Sequence, residues 1–217
     1  MNLSYNHHFK NNIHFTASAF GQFYRNIFVY DPQFPPRDYW SILDNFGFYD
    51  YYGGMAGTAQ SIGFEASISQ NNRNGWFWQV NATVFDATFN EPNKTRSMAY
   101  NSQYIFNGYI GKEWQIGKRQ NRFLGVGSRT ILRGGNWQYS NSNFQPKGIQ
   151  VAPYFRTDLN VYVKRNRKNW SSTLQLDIQN VSNKLNEQYY YFDSFKQKQT
   201  PQYQLGLLPN LSYRIAF

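Results

Sequence analysis

The sequence lacks cysteine entirely and contains few charged residues. The absence of cysteine excludes disulfide bonds, thiol catalysis and thiolate metal sites. Charged residues make up 16% of the 217 residues, whereas soluble domains contain about 25%. No run of about 20 apolar residues occurs, and this excludes a transmembrane helix. The length is that of one domain or of a piece of a larger protein.

Aromatic residues are abundant, at 20% of the chain, yet the mean hydropathy is −0.70. The polarity therefore comes from uncharged side chains such as Asn, Gln, Ser, Thr and Tyr. Disorder is excluded because disordered segments are poor in aromatic and β-branched residues. Few charges, many aromatics and low hydropathy together are typical of a membrane β-barrel, in which only alternate residues contact lipid.

Apolar and polar residues alternate with a period of two through almost the whole chain, which predicts strands. We expect about nine antiparallel strands, near residues 2–9, 13–28, 60–70, 76–89, 104–116, 123–134, 155–165, 170–182 and 203–217. Most of them reach the roughly 9–11 residues that a tilted strand needs to cross a bilayer, whereas strands of soluble proteins average about 5–6 residues. The fold class predicted is all-β, an antiparallel transmembrane β-barrel.

One face of each predicted strand is apolar and the other is polar. A polar face with ionisable groups suits a wet lumen better than the dry core of a sandwich. The ionisable side chains that alternate onto this face are Glu65, Glu113, Asp158 and Asp177, together with Arg129, Arg156 and Arg214. We interpret them as lumenal ion pairs rather than as acid–base catalysts.

Short and long connections alternate along the chain. The short ones lie near 10–12, 71–75, 117–122 and 165–169, and the long ones near 29–59, 90–103, 135–154 and 183–202. Outer-membrane barrels have short periplasmic turns and long extracellular loops. This parity predicts that Phe217 and the C-terminus lie on the periplasmic side.

Aromatic residues cluster at the ends of the predicted strands, where membrane barrels have interfacial girdles. Ordinary β-propensity is the alternative explanation for this enrichment. The residues concerned are Trp76, Trp78, Trp114, Phe123, Trp137, Trp170, Tyr213 and Phe217.

The last strand alternates to the final residue and ends in Phe. Its apolar face consists of Leu211, Tyr213, Ile215 and Phe217. The strand resembles the closing-strand signal of bacterial outer-membrane proteins, which the barrel assembly machinery reads during insertion.

Further motifs resemble one family, the TonB-dependent outer-membrane receptors, in particular their Bacteroidetes type. The segment 174–183 has the pattern Leu-x-Leu-Asp-Ile-x-Asn-x-x-Asn, which is similar to the penultimate strand of these receptors. The segment 106–126 and the pair Gly134-Gly135 resemble a hairpin that leads to the Gly-Gly loop of the family, and 61–65 is similar to a further strand.

The resemblance implies a plugged barrel of about 22 strands, energised through TonB, that imports a scarce nutrient such as an iron chelate, cobalamin, a glycan or a peptide. Residues 1–217 would be the C-terminal part of its barrel. The sequence contains neither the plug nor an apolar signal segment, so we expect these to lie outside it. The implied partners are outer-membrane lipid, the barrel assembly machinery, TonB through the N-terminal part, and a surface lipoprotein.

No enzyme, metal or cofactor is predicted. The three histidines, His7, His8 and His14, all lie in the first predicted hairpin. His8 and His14 are placed to face the same side, but two His without a carboxylate make a poor metal site. No Ser–His–Asp or Cys–His arrangement is available.

The net charge of +10 is a feature that nucleic-acid-binding domains also have. The densest basic runs, 118–122 and 164–168, fall in predicted tight turns, where solvated charge is the simpler explanation. We therefore predict no nucleic-acid partner.

The long connection 29–59 is rich in aromatic residues, which stack on sugar rings or bind apolar ligands. A lid packed on itself, or a contact with a lipoprotein, would have the same composition. The candidate ligand contacts are Tyr39, Trp40, Tyr51 and Tyr52, with Trp137 from a second long connection.

Two alternatives stay open from the sequence. One is a passive, porin-like outer-membrane barrel, and the other is a soluble carbohydrate-binding β-sandwich that uses its exposed aromatics.

Overall fold

The structure is a computed structural model that describes residues 1–30, 53–91, 94–119, 121–138 and 148–217. These residues form fourteen strands and one 3₁₀ turn at Lys10–Asn12. The strands are β1 (Asn2–Phe9), β2 (Ile13–Tyr30), β3 (Gly53–Arg73), β4 (Trp76–Glu91), β5 (Lys94–Ser97), β6 (Tyr104–Ile116), β7 (Arg122–Arg133), β8 (Trp137–Gln138), β9 (Ile149–Gln150), β10 (Tyr154–Asn166), β11 (Ser171–Gln179), β12 (Glu187–Asp193), β13 (Lys198–Tyr203) and β14 (Leu208–Ala216).

Ten of these strands form one antiparallel sheet, nine of them in the order β1-β2-β3-β4-β6-β7-β10-β11-β14. The order confirms the predicted all-β fold with about nine wall strands. β5 pairs with the end of β4, while β8–β9 and β12–β13 form two separate small hairpins. Within the described ranges the sheet does not close, because β1 and β14 each have one partner strand only. Each therefore presents an open edge.

The starts of two strands differ by more than one residue from those predicted, and β11 ends at Gln179 rather than at 182. β3 begins at Gly53 rather than at 60, because its first residues pair with the end of β2 beyond an irregularity at Arg25/Ile27. The last strand begins at Leu208 rather than at 203. Tyr203 instead pairs with Glu187 in the β12–β13 hairpin, which occupies the connection predicted as 183–202.

Residues paired across the sheet confirm the predicted two faces. One row on the apolar face runs Trp114–Leu124–Val163–Leu174–Tyr213 across β6, β7, β10, β11 and β14. Leu176 on this face is 38% exposed and Leu211 is 69% exposed. Since protein does not cover this face, we call it the membrane-facing side, and we call the polar side the lumenal face.

The two ends of the sheet also differ as predicted. The short turns after β1, β3, β6 and β10 lie at one end, which we call the short-turn rim, and the long connections lie at the other, the long-loop rim. Asn74 and Gly75 both have positive φ, as expected in a tight type I′ hairpin turn. Ala216 pairs with Ser171, so the chain ends at the short-turn rim.

Two residues of the predicted aromatic girdle need correction. Trp137 lies in the separate β8–β9 hairpin, with its indole nitrogen buried, because the chain leaves the wall after β7. Phe123 lies opposite Lys164 and Gln115, on the lumenal face, because it alternates with the membrane-facing Leu124. Among the residues that the structure describes, no helix is long and apolar enough to cross a membrane.

Candidate functional site

The lumenal face holds an ion pair on β10. The Arg156 guanidinium donates two hydrogen bonds to the Asp158 carboxylate, at 2.6 Å to Oδ1 and 2.8 Å to Oδ2. The backbone N–H of Asn180 also donates to Asp158 Oδ1, at 2.9 Å. A bidentate pair with a third donor is a strong, directional arrangement. It joins β10 to the chain that leaves β11.

A concavity of about 270 Å³ lies around this ion pair. Its lining comes from β6, β7, β10, β11 and β14 and includes Tyr109, Arg129, Asp177 and Asn210. The Gln175 amide donates to both oxygens of Asp177, at 2.8 and 2.9 Å. These groups are suited to hydrogen bonds and charge contacts with a polar partner in the lumen.

Aromatic rings from neighbouring strands cover glycines on the lumenal face. A Cβ on Gly125 would overlap the Tyr162 ring, and a Cβ on Gly127 would come within 2.8 Å of the Tyr109 hydroxyl. The Tyr162 hydroxyl donates to Glu113 Oε2 at 2.7 Å, across three strands. The predicted lumenal carboxylate Glu113 is therefore held in a structural contact.

The motif that ends β11 forms a turn at the long-loop rim. Asn180 is 1% exposed with φ of 52°. Its amide group donates to Lys184 O at 3.0 Å, and its Oδ1 accepts from Lys184 N at 3.2 Å. Asn183 Oδ1 accepts from the Leu207 backbone at 3.0 Å. The two Asn residues of the motif thus fix the start and the return of the last long connection.

Asn186 then takes the place of a strand partner for β10. β11 ends at Gln179, so the first residues of β10 extend beyond it. The Asn186 side chain accepts from Phe155 N at 2.9 Å and donates to Phe155 O at 2.8 Å. Glu187 Oε2 accepts from Ala152 N at 3.1 Å. The connection 180–187 therefore runs along the free edge of β10.

The Gly134-Gly135 pair directly follows β7, at a point where the backbones of two other connections pass close to it. A Cβ on Gly134 would overlap the carbonyl of Ser102, and one on Gly135 would overlap the carbonyl of Val151. Only glycine permits both approaches. The motif is explained by packing among the long loops.

The β12–β13 hairpin is attached to β8. Gln138 donates to Tyr190 O at 2.6 Å and accepts from Tyr190 N at 2.7 Å. The Tyr190 hydroxyl donates to Glu187 Oε2 at 2.7 Å. This bond and partial burial raise the pKa of Tyr190 above its ordinary value.

Trp137 is the one predicted ligand contact that falls in the described part of the chain. It is half-buried in β8, its backbone N–H donates to Ala99 O at 2.8 Å, and its indole Nε1 is buried with no hydrogen-bond partner among the described residues. The other candidates, Tyr39, Trp40, Tyr51 and Tyr52, lie outside the described residues.

Four residues that the sequence does not single out hold the long-loop rim together: Asn186, Glu187, Gln138 and Tyr190. The recurrence of Asn at 180, 183 and 186 after β11 was an available signal, since Asn forms local turns and hydrogen-bonds backbone groups. No local pattern in the sequence indicates that Gln138 pairs with Tyr190.

The histidines are placed as the alternation predicted. His8 and His14 lie directly opposite each other on β1 and β2, with ring centroids 4.4 Å apart. Among the described residues no group of three His, Asp or Glu side chains is close enough to hold a metal ion.

In the closing strand, Leu211, Tyr213 and Ile215 share the membrane-facing side and are 45–69% exposed. Phe217, which follows β14, is fully exposed. The strand therefore has the amphipathic form expected of it, with one edge free.

Membrane-length strands, an uncovered apolar face, a polar opposite face and alternating turns and loops define a segment of an outer-membrane-type β-barrel wall. The sequence model described as "TonB dependent receptor-like, beta-barrel" matches residues 1–181. The chain belongs to this family, and the family implies the outer membrane as its location.

Solved structures agree in fold. A structure of P. aeruginosa FpvA bound to a heterologous ferric pyoverdine and a structure of the FpvAI–pyocin S2 complex match with TM-scores of 0.56 and 0.54, each at 16% identity. They cover 98% and 99% of this chain, and the chain spans 26% of each of theirs. Comparison with curated protein sequences finds no significant match.

Proposed function

We propose that the chain forms the C-terminal part of the wall of an outer-membrane receptor that imports a scarce nutrient with energy from TonB. The family match over residues 1–181 carries this proposal. The open edges of β1 and β14 support it, because both need further strands of a larger barrel. The transport cycle itself belongs to the whole protein.

Each surface of the chain has a part in this proposal. The membrane-facing side contacts lipid. The lumenal groups around Arg156 and Asp158 contact a polar plug through hydrogen bonds and charge pairs. The long-loop rim faces outward and the short-turn rim, with the C-terminus, faces the periplasm. The ordered contacts of Asn180 and Asn186 support a rim rigid enough to present binding loops.

The ligand is one of four classes: an iron chelate, cobalamin, a glycan or a peptide. FpvA in the matching structure binds a ferric pyoverdine, and at 16% identity this likeness supports the fold alone. We assign the first ligand contacts to Tyr39, Trp40, Tyr51, Tyr52 and Trp137, on aromatic character. We also propose the Bacteroidetes type of receptor, with a surface lipoprotein as partner, on the motif at 174–183.

Insertion is proposed to depend on the closing strand. Leu211, Tyr213, Ile215 and Phe217 would be read by the barrel assembly machinery. An exposed, amphipathic strand with a free edge is the form that such pairing requires.

The experiment is an uptake assay in cells of the source organism with and without the gene. Four labelled probes are supplied separately: a ferric siderophore, cobalamin, an oligosaccharide and an oligopeptide. We expect uptake of one probe to require the gene and to stop when a protonophore is added. Gene-dependent uptake that persists with the protonophore would instead identify a passive barrel, and no gene-dependent uptake would refute a transport role for these four classes.

A further inference from the structure

The net charge of the chain is concentrated at the short-turn rim. This rim comprises residues 8–14, 70–77, 112–119, 121–124, 163–173 and 213–217, which contain eleven of the 22 Lys and Arg residues and one of the 12 Asp and Glu residues. The one acid, Glu113, accepts a hydrogen bond from Tyr162 on the lumenal face. The rim thus holds ten excess positive side chains, as many as the net charge of the whole chain.

Two of these cations lie side by side on the membrane-facing side. Arg122 on β7 and Arg165 on β10 are direct cross-strand partners. Each is two residues from an apolar membrane-facing residue, Leu124 or Val163, and therefore shares that face. Like charges directly opposite each other destabilise a sheet, so this position favours a bound anion.

Two further guanidinium groups add to the repulsion. Arg119 and Arg167, from the two adjacent turns, lie close enough to interact unfavourably with Arg165, as does Arg122. Arg165 is half-buried, and its Nε is buried without a hydrogen-bond partner among the described residues. Four guanidinium groups therefore occupy neighbouring positions of the rim: Arg122 and Arg165 as cross-strand partners, and Arg119 and Arg167 in the two turns that the hydrogen bond from Asn166 N to Asn121 O joins.

Indole rings lie on both sides of this cluster near the short-turn rim. The Lys112 ammonium lies 4.7 Å from the Trp76 ring centroid and 5.1 Å from that of Trp114. The Arg167 guanidinium lies 5.5 Å from the Trp170 ring. Because Trp side chains favour the bilayer interface, the arginines lie at headgroup depth.

We propose that Arg119, Arg122, Arg165 and Arg167 form a binding site for the phosphate-bearing headgroup of an anionic phospholipid. Arginine forks match phosphate geometry. A lipid fits better than free phosphate because the next row toward the bilayer centre, including Trp114, Leu124 and Val163, is apolar and accommodates acyl chains. The site requires that the chain lies in a membrane, but not that it transports a nutrient.

The test measures lipid binding to the protein isolated in detergent from its own outer membrane, by native mass spectrometry with phosphatidylglycerol and phosphatidylcholine. Each cation near an anionic surface strengthens binding by about fivefold. The Arg122→Gln/Arg165→Gln variant should therefore bind phosphatidylglycerol about 25-fold more weakly. Lys196→Gln/Lys198→Gln, with the same loss of charge in the β12–β13 hairpin, should bind it as the wild type does.

The remaining outcomes also decide the proposal. Equal weakening by both double variants, or equal binding of the two lipids, would overturn it. Displacement of phosphatidylglycerol by inorganic phosphate at equal concentration would identify free phosphate as the ligand and overturn the lipid assignment. If the double variant fails to assemble, the single Arg165→Gln variant should show a loss of about fivefold, and an unchanged affinity would refute the site.

Discussion

Replacing Asn186 by Ala should open the long-loop rim without unfolding the barrel wall. Asn186 is 3% exposed, and its side chain makes both hydrogen bonds to the backbone of Phe155, at 2.9 and 2.8 Å. These bonds attach the last long connection to a part of β10 that β11 does not reach. The Ala variant removes both bonds and leaves the N–H and C=O of Phe155 without this partner.

The expected cost follows from these two bonds. A hydrogen bond contributes about 0.5–1.5 kcal/mol net, and a buried group left unpaired costs about 1–3 kcal/mol. Water reaches the Phe155 backbone when the rim opens and satisfies part of its hydrogen bonding. The cost of losing the two bonds therefore lies toward the lower end of these ranges, at about 2 kcal/mol in the free energy of rim opening. Such a change raises the population of the open rim by about 30-fold.

Hydrogen exchange at the Phe155 amide measures this population directly, in the assembled protein in detergent. We expect exchange about 30-fold faster in Asn186→Ala, with unchanged protection in the centre of β7 and β10. Asn169→Ala, an exposed Asn in the short turn after β10, is the matched control and should leave Phe155 unaffected. Acceleration of less than about threefold would refute the role assigned to Asn186.

Three further predictions concern other parts of the chain. Gly125→Ala should displace Tyr162 from Glu113 and lower the free energy of unfolding, measured in urea, by about 2–3 kcal/mol. In the control variant Gly108→Ala, the new Cβ would lie 3.6 Å from the Phe106 ring, and the free energy of unfolding should fall by less than about 1 kcal/mol. Equal effects of the two variants would contradict this packing. The pKa of Tyr190 is raised by its bond to Glu187. The contribution of this bond to rim stability should therefore be complete below the unfolded-state pKa of about 10 and be lost as the pH rises through the folded-state pKa. Hydrogen exchange of β12 should show this loss of stability at alkaline pH, and Tyr190→Phe should abolish it. Phe217→Ser should reduce the amount of protein assembled in the outer membrane several-fold, while Ser212→Ala on the lumenal face should not; equal yields by quantitative blotting would refute the closing-strand role.

The wall of the fold could be predicted from the sequence because its order is local. Each hairpin joins neighbouring strands, and a period of two assigns every residue to one of two faces. Leu174, Leu176 and Ile178 indicate the membrane-facing side, while Gln175 and Asp177 indicate the lumen. The alternation of turns and loops placed the chain end at the short-turn rim for the same reason.

The candidate contacts of the long-loop rim could be predicted only in part. The pattern at 174–183 resembles a family motif, and the bonds of Asn180 to Lys184 explain its Asn residue as part of a turn. Gly134 and Gly135 were recognised as a pair, yet the reason for glycine is the carbonyl groups of Ser102 and Val151. Both explanations depend on segments that are distant in sequence.

The sequence by itself therefore determined the two faces, the antiparallel order and the two rims, because alternation and short connections leave a strand few choices of neighbour or orientation. Only the tertiary structure decided the register and the packing of the long loops. Register placed Arg122 beside Arg165 and Tyr162 over Gly125. Loop packing brought Asn186 to Phe155 and Gln138 to Tyr190. These contacts depend on backbone positions in three dimensions, to which no local period in the sequence corresponds.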